Sequence, residues 1–394
     1  MNRGRTMNDG LISAAQWGKM LYLFALGSAA LLIPSAVISI AKQDAWLSML
    51  LTVPFNYLVI VLYFALASRF PSLSLVQILE KVLGRAGGKL VAVSYIFFYL
   101  LLSALVLRNI TDFLGSSVLP MTPPWFIAVT FMSVIVYGVM LGVETIARTG
   151  EILFVWAVLV IGFISILLLN QFQLKNFEPL LYTGIMTPIK GIYPVLGFPI
   201  GEFVFMAMLL QLIKPEERSK LKRTAKLSVL IIGISSVLIA ILLIGVLGAD
   251  LVVRSPFSVY DMAKQINIEE ILVRVEILVA VVWVSTVFMK LILCFYVLTL
   301  STAHLLHLSS YRALVVPYAF IVCPLAGYVY RNAAHARWFQ TEVWTVYSVG
   351  MGFIIPLAVL ILAKLRGLKE LPGDKPKGSP PPVDTGESAK TTPS

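Results

Sequence analysis

Apolar runs long enough to cross a bilayer recur along nearly the whole chain. About twenty consecutive apolar residues span the hydrocarbon core as an α-helix. Inside that core every backbone N–H and C=O must find its partner within the protein, so only helices or a closed barrel can cross. The strand-type alternation of a membrane barrel is absent. Ten spans can be read, at 13–41, 46–68, 90–113, 125–141, 152–169, 189–213, 227–247, 270–303, 313–330 and 343–365. Only 13% of the 394 residues are charged and mean hydropathy is +0.90, about half the charge fraction of a soluble domain. The expected fold class is an all-α polytopic membrane protein. The first apolar run is too long for a cleavable signal peptide and leads into a second span.

Charge gives the expected orientation. One set of connections holds Arg3, Arg5, Arg69, Lys81, Arg85, Lys89, the cluster KPEERSKLKRTAK (214–226), Lys364, Arg366 and Lys369. On the other side Lys42, Lys175, Lys190, Arg254, Lys264, Arg331 and Arg337 are mostly offset by acids. Positive loops stay cytoplasmic, so both termini are expected there. The net charge of +11 is then a topology signal. It is spread over short loops, which excludes a nucleic-acid surface. The tail PGDKPKGSPPPVDTGESAKTTPS has almost no apolar content and is expected to be disordered. The stretch LVQILEKVLGRAGGKL after the second span reads as a helix lying on the inner surface.

The sixth span contains GFPIGE (197–202), where two glycines, a proline and a carboxylate interrupt the apolar run. The first span contains FALGSAALLIP (24–34), with Gly27, Ser28 and Ala29 mid-span and a proline beyond. The two features lie about 170 residues apart, near half the membrane domain. Interrupted helices at matching positions of two five-span halves point to an inverted-repeat transporter fold (LeuT-like), with helices 1 and 6 broken. The domain division expected is a cytoplasmic start at 1–12, repeats at 13–170 and 171–366, and a tail at 367–394. The exposed half-helix ends would suit a small zwitterion near the midplane.

Two charges lie inside spans. Glu202 follows the sixth-span break, and Lys290 lies mid-span in STVFMKLILC. Charge at bilayer depth faces a bundle interior or a wet cavity. Glu276, Trp283, Lys290 and Cys294 share one helical face, with Met289 beside the lysine, and Tyr95 and Tyr99 lie on the third span. The candidate ligand-binding set is therefore Gly27, Ser28, Ala29, Tyr95, Tyr99, Gly197, Phe198, Pro199, Gly201, Glu202, Trp283, Met289, Lys290 and Cys294. A structural Glu202–Lys290 pair that fixes helix register is the alternative. By analogy of fold, a lysine here could take the place of a coupling sodium ion. Cys294 and Cys323 read as small buried hydrophobes, and His304 with His307 lacks a third metal ligand. No nucleophile elbow, phosphate loop or metal cluster is present, so neither enzymatic activity nor a cofactor is expected.

The chain up to about residue 365 resembles the spore germination receptor B subunit, the spore permease family of the amino acid–polyamine–organocation superfamily. LGSAALLIP followed by AKQDAWL, FPSLSL (70–75), GFPIGE, and VRVEILVAVVWVSTVFMKL (273–291) carry the resemblance. The eighth-span pattern keeps Arg274, Glu276 and Trp283 but has Val273 where the family has glutamate. The resemblance implies a subunit in the inner membrane of a dormant spore that recognises a small germinant. It also implies a larger A subunit and a lipoprotein C subunit as partners. A working amino-acid or polyamine permease and a pocketless scaffold are the other classes. The small residues at the first break favour an α-amino acid as ligand.

Overall fold

The computed structural model describes residues 10–182, 184–266 and 275–370, with the side chains of 28–31 and 333 outside the description. Among these residues there is no strand, only an isolated parallel bridge between Ile12 and Ile213. The helices are α1 (Ala14–Ala41), α2 (Ala45–Arg69), α3 (Leu75–Leu83), α4 (Arg85–Phe113), α5 (Pro124–Leu141) and α6 (Val143–Leu168). A fragmented sixth crossing follows as α7 (Met186–Lys190), α8 (Tyr193–Gly197) and α9 (Val204–Met208). Then come α10 (Leu221–Leu247), α11 (Ala249–Arg254), α12 (Ser258–Ala263), α13 (Glu276–Leu305) and α14 (Arg312–Tyr328). The last crossing comprises α15 (Ala333–Trp338), α16 (Thr345–Val349) and α17 (Ile355–Leu365), joined by π-helical turns at Phe339–Trp344 and Gly350–Ile354.

Among the described residues eight helical stretches are long and apolar enough to cross a membrane, and Arg312–Tyr328 is a shorter apolar helix. The first stretch, Leu32–Arg69, joins the end of α1 to α2. With α1 counted apart from α2 and Arg312–Tyr328 added, a described helix lies at each of the ten expected spans, residues 270–274 of the eighth falling outside the described residues. The protein is a multi-pass membrane protein.

Local sequence sets the element ends. Ser13 caps α1 through a box in which its hydroxyl accepts from Gln16 N and its own N–H donates to Gln16 Oε1. Ser74 and Gln77 repeat the device at α3, two orphan donors satisfied reciprocally each time. The expected ten-residue connection between the fourth and fifth spans shrinks to Gly142. Its φ of 95° lies in the region that only glycine enters freely, and α6 starts at once. Glu144, Arg148 and Glu151 therefore sit on the first turns of α6. Of the stretch 75–90, expected as one helix on the inner surface, only Leu75–Leu83 forms the separate helix α3, which buries Leu75, Val76, Ile78, Leu79 and Val82, and the rest passes after Gly84 into the long helix α4.

One expectation fails. The first span is not interrupted: α1 runs from Ala14 to Ala41 as one helix with Pro34 inside it. Glycine costs about 1 kcal/mol in a helix interior, and packing offsets that here, because α1 is the central helix. It lies against α13, α10 and α6. The expected tail falls outside the described residues from 371 onward.

The two described ends of the chain meet the same face of the bundle. Ile12 N donates to Leu212 O and Lys214 N donates back to Ile12 O. Ala14 N donates to a Glu217 oxygen at 2.9 Å, and Lys19 pairs with Glu151 at 2.8 Å. At the other end Arg69 Nε donates to Leu368 O at 2.6 Å. Buried Trp17 adds a 3.1 Å bond from Nε1 to Met206 O, tying α1 to the lower part of the sixth crossing. Trp17→Phe removes one of the two hydrogen bonds that Met206 O accepts, the other coming from Leu209 N. It should cost about 0.5–1.5 kcal/mol, read as a lower melting temperature in detergent with normal insertion. An unchanged melting temperature would mean that α1 is not anchored at this point.

Candidate functional site

GFPIGE is a real interruption. α8 ends at Gly197, a 3-10 turn covers Ile200–Phe203, and α9 resumes at Val204. The turn presents Glu202, which is fully buried, and α13 presents Lys290, also fully buried. Lys290 Nζ lies 2.5 Å from Glu202 Oε2. Trp344 Nε1, from the last crossing, donates to Glu202 Oε1 at 3.0 Å. Both carboxylate oxygens thus have a donor. Desolvating two ions costs several kcal/mol each, which only a close pair with added hydrogen bonds repays.

Aromatic rings close the surroundings. Lys290 Nζ sits 4.9 Å from the Phe24 ring centroid and 5.3 Å from that of Phe198, within cation–π range. Trp344 stacks on Phe98 at 5.1 Å and 7°. Phe205 contacts Phe24, Phe98 and Tyr99, the last at 4.5 Å between centroids. Residues from α1, α4, the sixth crossing, α13 and the last crossing therefore converge on one ion pair.

Two glycines allow that approach. A Cβ on Gly27 would lie 2.7 Å from Thr286 O and 2.9 Å from Lys290 Cβ, and one on Gly201 would lie 2.7–2.8 Å from Ser348 backbone atoms. Ser348 Oγ donates to Gly197 O at 3.0 Å, filling one carbonyl freed by the break. The π-helical turn is served from the other side: Tyr95 OH donates to Met351 O at 2.6 Å and Tyr63 OH to Gly352 O at 2.5 Å.

The sequence-derived candidates separate into groups. Gly27, Phe198, Gly201, Glu202 and Lys290 meet at the ion pair, with Gly197 beside it. Pro199 faces a small neighbouring space lined also by Tyr22, Met49, Asn56 and Ser235. Tyr95 is committed to Met351, whereas the buried Tyr99 hydroxyl has no hydrogen-bond partner. Cys294 is buried. Trp283 packs two helical turns away on Phe113, at 4.5 Å, and its buried Nε1 is also unpartnered. Met289 faces Gly150 of α6 instead. Ser28 and Ala29 belong to the residues whose side chains are not described, and Val273 and Arg274 lie outside the described residues. Among the described residues no three His, Cys, Asp or Glu side chains cluster as metal ligands.

Sequence reasoning missed Trp344, Ser348, Thr345 and Tyr63. The first three lie in a span that reads as one regular helix, and nothing in their spacing announces the π-helical turns that aim them. A second cavity, of about 230 Å³, sits above Phe198 on the face opposite the chain ends.

These features define a class: a helical membrane protein of the inverted-repeat transporter fold, with a charged site at the interrupted sixth crossing. Solved structures agree on the fold. MhsT in complex with L-phenylalanine superposes with a TM-score of 0.67 at 14% identity, covering 90% of this chain and 98% of that one. A Na+-coupled sialic acid symporter gives 0.67 at 12%, covering 93% and 94%. The family model described as "Spore germination protein" matches residues 11–334, and the chain belongs to that spore permease family. Spore germination protein KB of Bacillus subtilis (strain 168) is 27% identical over 314 residues, 79% of this chain and 83% of that protein. Spore germination protein YndE of the same strain is 25% identical over 298 residues, 74% and 80% respectively. Family and fold are transporter-like rather than enzymatic.

The pair can be tested by a double-mutant cycle. Glu202→Met or Lys290→Met alone leaves an uncompensated buried charge and should cost about 3–5 kcal/mol. The double replacement should recover most of that loss, because two apolar side chains need no partner. Additive losses in melting temperature would mean that the two charges do not interact. Gly201→Val should cost about 1–3 kcal/mol by forcing the last crossing away from the break.

Proposed function

We infer that this chain is the transporter-like subunit of a spore germinant receptor and binds a small nutrient germinant, an α-amino acid, at the Glu202–Lys290 pair. The observation that carries this reading is the pair itself, buried at the interruption of a transporter fold in a spore germination protein. A zwitterion presents the same two charges in reverse. Its carboxylate can take the Lys290 ammonium and its ammonium the Glu202 carboxylate, so each buried ion exchanges one partner for another. The aromatic rings of Phe24, Phe98, Tyr99, Phe198 and Phe205 then face the ligand side chain. Glycines 27, 197 and 201 let α13 and the last crossing pack close enough to frame the site. Tyr95, Pro199, Trp283, Met289 and Cys294 shape the surroundings, with Ser28 and Ala29 as further candidates on α1.

Insertion between Lys290 and Glu202 separates α13 from the sixth crossing, and Trp344 passes the displacement to the last crossing. A ligand that binds the separated state more tightly shifts the population toward it. The signal then reaches an A subunit and a lipoprotein C subunit in the spore inner membrane. The positive loops support cytoplasmic placement of both termini. The repeats are divided near residue 170. Net permeation of the same ligand is the second reading, favoured by the transporter fold.

Purified protein in proteoliposomes, with labelled amino acids, sugars and nucleosides, separates these readings. Saturable binding of an amino acid at about one per protein supports the receptor. Accumulation far beyond that number supports the permease. Loss of binding by tenfold or more, about 1.4 kcal/mol, is expected in Glu202→Gln and Lys290→Met. Wild-type affinity in both would remove the pair from the site. Lys290 lies where α1 and α13 cross at Gly27, so a fixed ammonium already occupies that crossing. Binding should therefore be unchanged when choline replaces sodium, and a sodium requirement would overturn this assignment.

A further inference from the structure

A cavity of about 60 Å³ lies among α1, α6, α10, α12 and α13. It shares no residue with the cavity above Phe198, and neither Glu202 nor Lys290 lines it. Its lining is apolar apart from Ser165, Trp283 and Thr286. No charged side chain faces it, so an ion would find nothing there to repay its lost hydration. On one side the cavity is walled by α6, whose Leu159, Phe163 and Ile166 stand exposed toward the bilayer. Ile161 and Ser165 of the same helix line the cavity and are only half-buried. On the other side Leu26 and Thr286 flank the close packing of α1 on α13, where a Cβ on Gly27 would lie 2.7 Å from Thr286 O.

The three polar side chains are not equally served. Thr286 Oγ1 donates to Trp283 O at 2.9 Å and Ser165 Oγ to Ile161 O at 2.7 Å, so both hydroxyl protons are committed within their own helices. Trp283 is 2% exposed, and its Nε1 has no hydrogen-bond partner among the described residues. Its ring is held by Phe113, at 4.5 Å and 79°, and by Phe257, at 6.2 Å, neither of which carries an acceptor oxygen. An indole N–H can only donate, and a buried donor left unmet keeps its full desolvation penalty. One unmet donor in an uncharged apolar space is complementary to one acceptor oxygen on an aliphatic body. A carbonyl supplies that oxygen without bringing a donor of its own. An apolar cavity of about 150 Å³ takes up benzene, so this smaller one suits a short chain.

We propose that this cavity binds a small uncharged aliphatic molecule bearing one carbonyl, whose oxygen accepts the Trp283 N–H while its chain packs on α6 and α10. Such a solute partitions into the bilayer and reaches the cavity past Ile161 and Ser165 of α6. Once bound it touches Leu26 and Thr286, and so acts on the spacing of the two helices that carry Phe24 and Lys290. The site is separate from the ion pair and stands whether or not an amino acid binds there.

Magnetic resonance of the indole N–H groups in the purified full-length protein, labelled with nitrogen-15 tryptophan, tests it. Trp283→Phe assigns the Trp283 signal, and the titrants are acetone, 2-butanone and 2-pentanone, with n-pentane as the hydrocarbon control. At least one ketone should move the Trp283 proton downfield in a saturable way. The Trp344 signal, already bonded to Glu202, should stay in place, and n-pentane should give no downfield shift. Ser165→Leu and Val160→Phe each fill the cavity and should lose the ketone response, with a retained Trp344 signal marking a folded centre. Absence of a saturable shift with every ketone, as expected of an N–H already bonded to water, overturns the site. So does an equal shift with n-pentane, or the full response in either folded variant.

Discussion

Two opposite charges with no access to water organise the centre of this molecule. Neither Glu202 nor Lys290 can be carried at bilayer depth alone. Each therefore fixes the element that carries the other: the interrupted sixth crossing is held against α13, and Trp344 draws in the last crossing through the second carboxylate oxygen. Phe24 and Phe198 complete the enclosure by offering ring faces to the ammonium. Removing water strengthens each of these contacts, and makes each unpaired alternative expensive.

The backbone imposes a second, linked constraint. A broken helix frees carbonyls and amides that lipid cannot satisfy, and here the partners come from neighbouring crossings. Ser348 serves Gly197 at the break, while Tyr95 and Tyr63 serve the π-helical turn that positions Ser348 itself. Such turns are rare and often mark functional sites. The interruption of the sixth crossing and the irregularity of the last are thus matched, because the polar groups of one are placed to answer the other.

Much of this was legible in the sequence, since the bilayer leaves few options. The long apolar helices, the separate helix α3 and the break at GFPIGE followed from apolar run lengths and from glycine and proline placement. The ion pair was legible because charge at that depth has to be answered. Other features left no mark. Trp344 and Ser348 sit in a run whose composition suits an ordinary helix, and only tertiary packing selects its wider turns. Trp283 and Met289 followed from helical spacing along α13, but spacing names a face and not the neighbour it meets. Met289 consequently lies against α6, away from the pair.

The first span shows where local reasoning reverses. FALGSAALLIP and GFPIGE look alike as helix breakers, yet α1 stays helical through Pro34 and the sixth crossing does not. α1 packs on α13, α10 and α6 at once, and close contact on several sides compensates for weak propensity. Its glycine serves proximity: Gly27 lets α13 come close enough for Lys290 to reach across. The sixth crossing has a different need, because Glu202 must turn toward that lysine while Gly197 O turns toward Ser348. A continuous α-helix would consume that carbonyl internally. The interruption and the continuous helix are therefore complementary halves of one arrangement, in which one element supplies the approach and the other supplies the free polar groups.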